Sequence, residues 1–256
     1  MARELGWLRQ FHTPSTDSTP PLIVFPHAGS GASAYRTFSK RLSADFDTVV
    51  VQYPGRQDRA REAAAQTLNE LAAGAFEAFR AAPQAATVPL TVFGHSMGSI
   101  VAFEFVRLAE AAGIPVRLLA VSAAGAPMRI ADLPPHPTED EALLDHMVAL
   151  NGTGAEVMAS RDVLRMALPV MKADYAAFDR YACPADVTIS TPVHVLGGDE
   201  DEFVAPRDLY AWSGHTGADV DVTLFEGGHF YLNDHVEAIA ELLAPAPLAQ
   251  SPGADR

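Results

Sequence analysis

Short unbroken apolar runs punctuate the chain: LIVF from Leu22, TVVVQY from Thr48, LTVF from Leu90, LLAVSA from Leu118, VHVLGG from Val193 and VTLF from Val222. Runs of this length without polar alternation suit strands buried on both faces of a sheet. Between the first four, apolar residues recur at helical spacing in Tyr35 to Leu42, Leu68 to Arg80 and Ile100 to Ala112. That alternation predicts an α/β fold, a mostly parallel sheet covered by helices on both sides. The beat stops after SAAGAPM. From about Ile130 to Pro184 no strand is expected, while TEDEALLDHMVAL carries a capping-box spacing, Thr138 to Glu141, and an apolar stripe. The segment at approximately 130–184 therefore reads as an inserted helical lid within a single domain spanning 1–256. A last helix is expected over Val236 to Leu243, and residues 244–256, APAPLAQSPGADR, have too little apolar content to pack and are expected to form a frayed tail.

The stretch TVFGHSMGSI, Thr91 to Ile100, puts Ser96 between a predicted strand and a predicted helix, with Gly94 and Gly98 two places away on either side. Glycines there remove side chains that a tight turn would press into neighbouring backbone, and they let the serine take a strained dihedral. This is the pattern of a nucleophile elbow, with Ser96 as nucleophile. A serine hydroxyl needs a base within hydrogen-bond reach and an acid to orient that base. His229, in GGHFYLND after the last strand, is placed to be the base; His95 adjoins the serine too closely, and His27 is expected to shape the pocket wall. The acid should follow VHVLGG, where Asp199 and Asp201 compete. Asp201 is favoured because Val204 returns to the core and Pro206 opens a helix behind it, and Asp199 is the alternative. The order serine, acid, histidine is that of the α/β hydrolases. Charge on a carbonyl oxygen under attack needs fixed donors. The Met97 amide, opening the helix, is one; the second should come from FPHAGSGAS, with the Ala28 amide favoured and Gly29 possible.

That loop also offers a rival. Gly29-x-Gly31-x-x-Ala34 matches a dinucleotide fingerprint, but the acid expected about 20 residues on is replaced by Gln52 and Tyr53. A nicotinamide-dependent oxidoreductase is therefore a remote alternative, as is a noncatalytic binding module. Charge narrows the partners: 18 basic against 32 acidic residues give a net charge of −14, which argues against nucleic acid and anionic membrane surfaces. No apolar run reaches the ~18–20 residues of a membrane span. Cys183 is the only cysteine and the start lacks a signal-like apolar core, so a cytoplasmic location is expected. Neither a metal nor a cofactor is called for, since no metal-ligand spacing occurs. Lid residues Met147, Leu150, Met158, Met166 and Met171 could line an adaptable apolar wall or simply pack as core.

The chain resembles the stand-alone type II thioesterases that serve polyketide synthases and nonribosomal peptide synthetases. The matching pieces are WLRQF, FPHAGSGASAYRTFSKRL, VQYPGRQDR, FGHSMGSIVAFEFVRL, VSAAGAPM, GGDEDEFVAP and GGHFYLND, spanning Trp7 to about Leu243. The combination of Pro26, His27, Ala28 and Gly29 with Pro54, Gly55, Arg56 and Arg59 is far more specific than the elbow alone. The resemblance implies the α/β hydrolase fold with a helical lid and a triad on Ser96, Asp201 and His229. It implies removal of stalled or aberrant acyl groups from the phosphopantetheine arm of acyl or peptidyl carrier proteins, with acyl-CoA as a related thioester substrate. An ester hydrolase, or a chain-releasing and cyclising thioesterase with the same triad, is the alternative. Glu202 departs from the proline often found after the acid, and Gly29-Ser30-Gly31 departs from the usual paired glycine. Because carrier proteins are also acidic, a local positive patch is expected, with Arg129, Arg161, Arg165 and Lys172 as candidates.

Overall fold

The computed structural model describes residues 6–14, 16, 18–86, 89–150 and 161–244. Each expected apolar run forms a strand: β2 (Pro21–Phe25), β3 (Asp47–Val51), β4 (Leu90–His95), β5 (Val116–Ser122), β6 (Val193–Gly198) and β7 (Val220–Phe225). A strand absent from the sequence expectation, β1 (Leu8–Arg9), pairs antiparallel with β3. Two residues are too few for any period to be read; the ring of Trp7 seats this strand, filling the space that Gly74 leaves open. The sheet order is β1-β3-β2-β4-β5-β6-β7, parallel throughout except at β1. This is the α/β hydrolase arrangement. One expectation fails at the edge: β7 is not buried on both faces, and Leu224 remains 43% exposed, because β7 is the outermost strand among the described residues.

Helices α1 (Arg36–Leu42), α2 (Leu68–Arg80), α3 (Met97–Ala111) and α7 (Val236–Leu243) cover the sheet, split between its two faces. Thr67 caps α2 by accepting from the Glu70 amide, while the Glu70 carboxylate accepts from the Gln66 amide. Between β5 and β6 the chain leaves the sheet as a 3-10 turn (Pro127–Asp132) and helices α4 (Asp140–Leu150) and α5 (Arg161–Asp179), with no strand among the described residues there. Helix α4 starts one residue later than the Thr138 capping box predicts, its first turn closing from the Leu143 amide to the Glu139 carbonyl. Ion pairs Arg165–Glu141 (2.7 Å) and Lys172–Asp140 (2.5 Å) join α5 to α4. The short helix α6 (Pro206–Tyr210) opens at Pro206 as expected. Met158 and residues 245–256, the bulk of the expected tail, lie outside the described residues.

Candidate active site

Strand β4 ends at His95 and α3 begins at Met97, so Ser96 alone makes the turn, at φ 54° and ψ −124°. An L-residue holds that backbone only when its surroundings impose it. The imposition is visible in the glycines. A Cβ on Gly94 would lie 2.3 Å from the Gly98 carbonyl oxygen, and one on Gly98 would lie 2.1 Å from the Phe25 carbonyl oxygen. Both obstacles are backbone and cannot step aside. Gly98→Ala should therefore lower stability by roughly 1–3 kcal/mol or more, read as a fall in thermal midpoint; an unchanged midpoint would contradict this packing account. The Ser96 amide donates to the Ser122 carbonyl at 2.7 Å, which ties the elbow to the end of β5.

The other groups arrive at the same carboxyl edge of the sheet. A Cβ on Gly198 would lie 2.3 Å from the Gly227 carbonyl oxygen, so the loops after β6 and β7 are pressed together. Across that contact His229 Nδ1 lies 2.8 Å from Asp201 Oδ2, and the Asp201 Oδ1 accepts from the Phe203 amide at 2.9 Å. Both side chains are almost fully buried, 5% and 1% exposed. Asp199 does something else: its Oδ1 accepts from the Gly227 amide at 3.0 Å, bracing the loop that carries His229. With the proton on Nδ1 facing a carboxylate, Nε2 of His229 is the acceptor nitrogen.

Ser96 and His229 both line two adjoining cavities beneath α4 and α5. Leu150 and Tyr175 also line both. The first cavity runs over Met97, Ile130, Leu133, Phe178 and Phe203; the second is bounded by Ala28, Gly29, Met147, Met171 and Phe230. Of the lid residues singled out in the sequence, Met147, Leu150 and Met171 thus face cavity, whereas Met166 is 82% exposed. Of the two expected donors, Met97 lines the first cavity and Ala28 the second, and Ser96 lines both. The alternative, the Gly29 amide, is already engaged: it donates to Asp174 Oδ2 at 2.8 Å. That carboxylate also argues against the dinucleotide reading, since a pyrophosphate on this loop would meet like charge.

His27 and His95 take structural positions. The His27 Nδ1 pairs with the Tyr35 hydroxyl at 2.7 Å and His95 Nδ1 with the Ser122 hydroxyl at 2.8 Å. Burial above all, with the nearby His229, lowers both histidines, His27 to about 3. Their folded values lie below the unfolded 6.5, so the unfolded chain binds protons first as pH falls from 6.5 toward 3. Stability is complete above that window and is lost on acidification, at up to about 1.4 kcal/mol per pH unit for each such group. Thermal midpoints measured from pH 7.5 to 5 should fall, and less steeply in His27→Gln; a flat profile would contradict the burial of neutral imidazoles.

Several groups at the site escape a sequence reading. Asp174 pairs with Arg56 at 2.5 Å, both side chains 4% exposed. His136 stacks on Tyr175 with ring centres 3.7 Å apart and pairs with Asp179, while His146 Nε2 lies 3.1 Å from the Tyr175 hydroxyl. His146 is held near 4 by burial and by the neighbouring His136 and His229. A signal existed for Asp174: it interrupts the apolar stripe Leu168, Met171, Tyr175 with a carboxylate. The expected positive patch does not materialise from its described members. Arg129 lies 3.4 Å from Asp208 and 3.5 Å from Asp132, and Arg165 and Lys172 are matched by Glu141 and Asp140, so these cations leave little unbalanced charge. The side chain of Arg161 lies outside the described residues. Among the described residues no cluster of His, Cys, Asp and Glu could hold a metal ion, and no helix is long and apolar enough to cross a membrane.

A strand-to-helix serine at positive φ, in this sheet order and beside a carboxylate-bound histidine, defines a protein of the α/β hydrolase class. Within that class the chain belongs to the thioesterase domain family, which it matches over residues 20–246. It is 44% identical over 239 residues to the phenyloxazoline synthase MbtB of Mycobacterium tuberculosis, covering 93% of this chain but 16% of the synthase. The chain thus spans about one sixth of the length of these curated relatives. It is 36% identical to the thioesterase PikA5 of Streptomyces venezuelae, covering 89% of this chain and 80% of that one. Among solved structures it is similar to the type II thioesterase BorB from the borrelidin biosynthetic cluster, with a TM-score of 0.81, 38% identity, and 92% of this chain and 95% of that one covered.

Proposed function

We propose that this chain hydrolyses acyl thioesters borne on the phosphopantetheine arm of acyl or peptidyl carrier proteins, removing stalled or aberrant chains through an acyl-enzyme on Ser96. The observation that carries the reading is the 2.8 Å contact between His229 and Asp201 on a histidine that shares both cavities with Ser96. In this mechanism His229 Nε2 accepts the hydroxyl proton as the Ser96 oxygen attacks the thioester carbonyl. Asp201 keeps the other ring proton on Nδ1 and stabilises the imidazolium. The Met97 and Ala28 amides donate to the oxyanion. Collapse of that intermediate breaks the carbon–sulfur bond, and the pantetheine thiolate takes the proton from His229. A water, deprotonated by the same nitrogen, attacks the acyl-serine; a second collapse releases the acid and returns the proton to Ser96.

The cavities support this reading, because a thioester has two arms and two lobes meet at the serine. Helices α4 and α5 act as the lid over them, and the location is cytoplasmic. The similarity to the type II thioesterase BorB favours the editing role. A second reading, chain release to an internal nucleophile, draws on the match to one segment of a much longer synthase. Mass spectrometry of a carrier protein loaded with an acyl pantetheine tests both. Free carrier thiol with the linear acid is expected, a cyclised product would move the chain to the second reading, and an intact acyl carrier would overturn both.

A further inference from the structure

Asp174 lies within α5, three residues beyond Met171 and hence on the same face of the helix. It is 3% exposed, and its two oxygens reach two different loops of the sheet domain. Oδ1 accepts from the Arg56 guanidinium at 2.5 Å, in the loop after β3, and Oδ2 accepts from the Gly29 amide at 2.8 Å, in the loop after β2. Gly29 is the third residue of a turn closed from the Ser30 amide to the His27 carbonyl, with φ +76°, a geometry that suits glycine. A Cβ there would also fall 2.5 Å from the Met171 methyl. Helix α5 therefore grips Gly29 with two side chains, one apolar and one charged.

Holding the Gly29 nitrogen fixes the plane of the Ala28–Gly29 peptide. The Ala28 amide is one residue upstream in the same turn. A carboxylate this near a developing oxyanion would oppose it by charge, and the Arg56 guanidinium offsets that repulsion. Nε and Nη1 of Arg56 are buried without a hydrogen-bond partner, a cost that marks the pair as more than convenient packing. Raised overall by burial, with Arg56 and the Gly29 amide pulling the other way, the carboxyl of Asp174 also depends on these two partners to stay ionised.

We infer that Asp174 is a positioning residue for oxyanion stabilisation: it clamps the Gly29 amide so that the Ala28 amide is presented beside Ser96. Because Asp174 belongs to the inserted helix, seating of α5 and assembly of this donor are one event. The inference rests on the hydrolase reading above.

Two double variants separate the clamp from the ion pair, since both remove the pair. Arg56→Met with Asp174→Asn retains an oxygen that can accept from Gly29; Arg56→Met with Asp174→Leu retains none. Apolar replacement of a buried ion pair is often tolerated for stability. With kcat expressed per titratable Ser96 on a small acyl thioester, the leucine variant should lose about 10²-fold with KM within about twofold, and the asparagine variant should recover to within about fivefold of wild type. Equal kcat in the two variants overturns the inference. Should the leucine variant not be recovered folded, the asparagine variant decides alone, because a loss of about 10²-fold despite the retained acceptor overturns it equally. Wild type without turnover would remove the hydrolase reading and this inference together, whereas active wild type with indistinguishable variants removes the inference alone.

Discussion

Alanine at Ser96 is expected to leave a carrier-bound acyl thioester intact under conditions in which the wild type returns the free thiol, a fall in kcat of about 10⁵–10⁶. The magnitude follows from how the group acts. Without the hydroxyl no acyl-enzyme forms, and the remaining donors can only assist direct attack by water, which leaves about 10³–10⁴ over the uncatalysed rate. The alanine should fold, because the backbone strain at φ 54° is set by the close passage of Gly94 and Gly98, which the substitution leaves alone. Circular dichroism matching wild type together with retained turnover would remove Ser96 from the mechanism, and with it the acyl-enzyme.

The second large effect separates two aspartates that lie two residues apart. Asp201→Asn is expected to lower kcat by about 10⁴, because an amide facing His229 Nδ1 favours the wrong tautomer and leaves the imidazolium unbalanced. Asp199→Asn should stay within about tenfold of wild type, since an asparagine oxygen can still accept from the Gly227 amide and brace the loop. Steady-state rates on one small thioester, with thermal midpoints as a control for folding, check the pair. Reversal of the two outcomes would mean that Asp199, and not Asp201, orients His229 in the working enzyme.

The apolar runs, the serine between its glycines, and the order of serine, acid and histidine were legible because each is a local pattern. A buried strand needs a continuous run, and an elbow needs glycine where backbone passes backbone. Local chemistry could rank Asp201 above Asp199, but only the approach of Gly198 to Gly227 decides which carboxylate meets His229. The same limit explains β1, whose two residues carry no period, and β7, whose exposure follows from its being the outermost described strand. It also explains why Arg165 and Lys172 carry no unbalanced charge: they are separated in sequence from the acids of α4, and packing of α4 against α5 alone brings them together.

By itself, then, the sequence determined the strand-and-helix alternation, its break after β5 with no strand among the described residues until β6, and the strand-to-helix turn at Ser96, all legible as patterns of near neighbours along the chain. Tertiary structure alone decided the partner of His229, the two-lobed cavity at Ser96 and the grip of Asp174 on Gly29, separated by 145 positions. Contacts at that separation depend on how layers stack and how loops meet at one edge of the sheet. No periodicity records them, because the energy that selects them comes from burial and hydrogen bonding between segments that a linear pattern treats as independent.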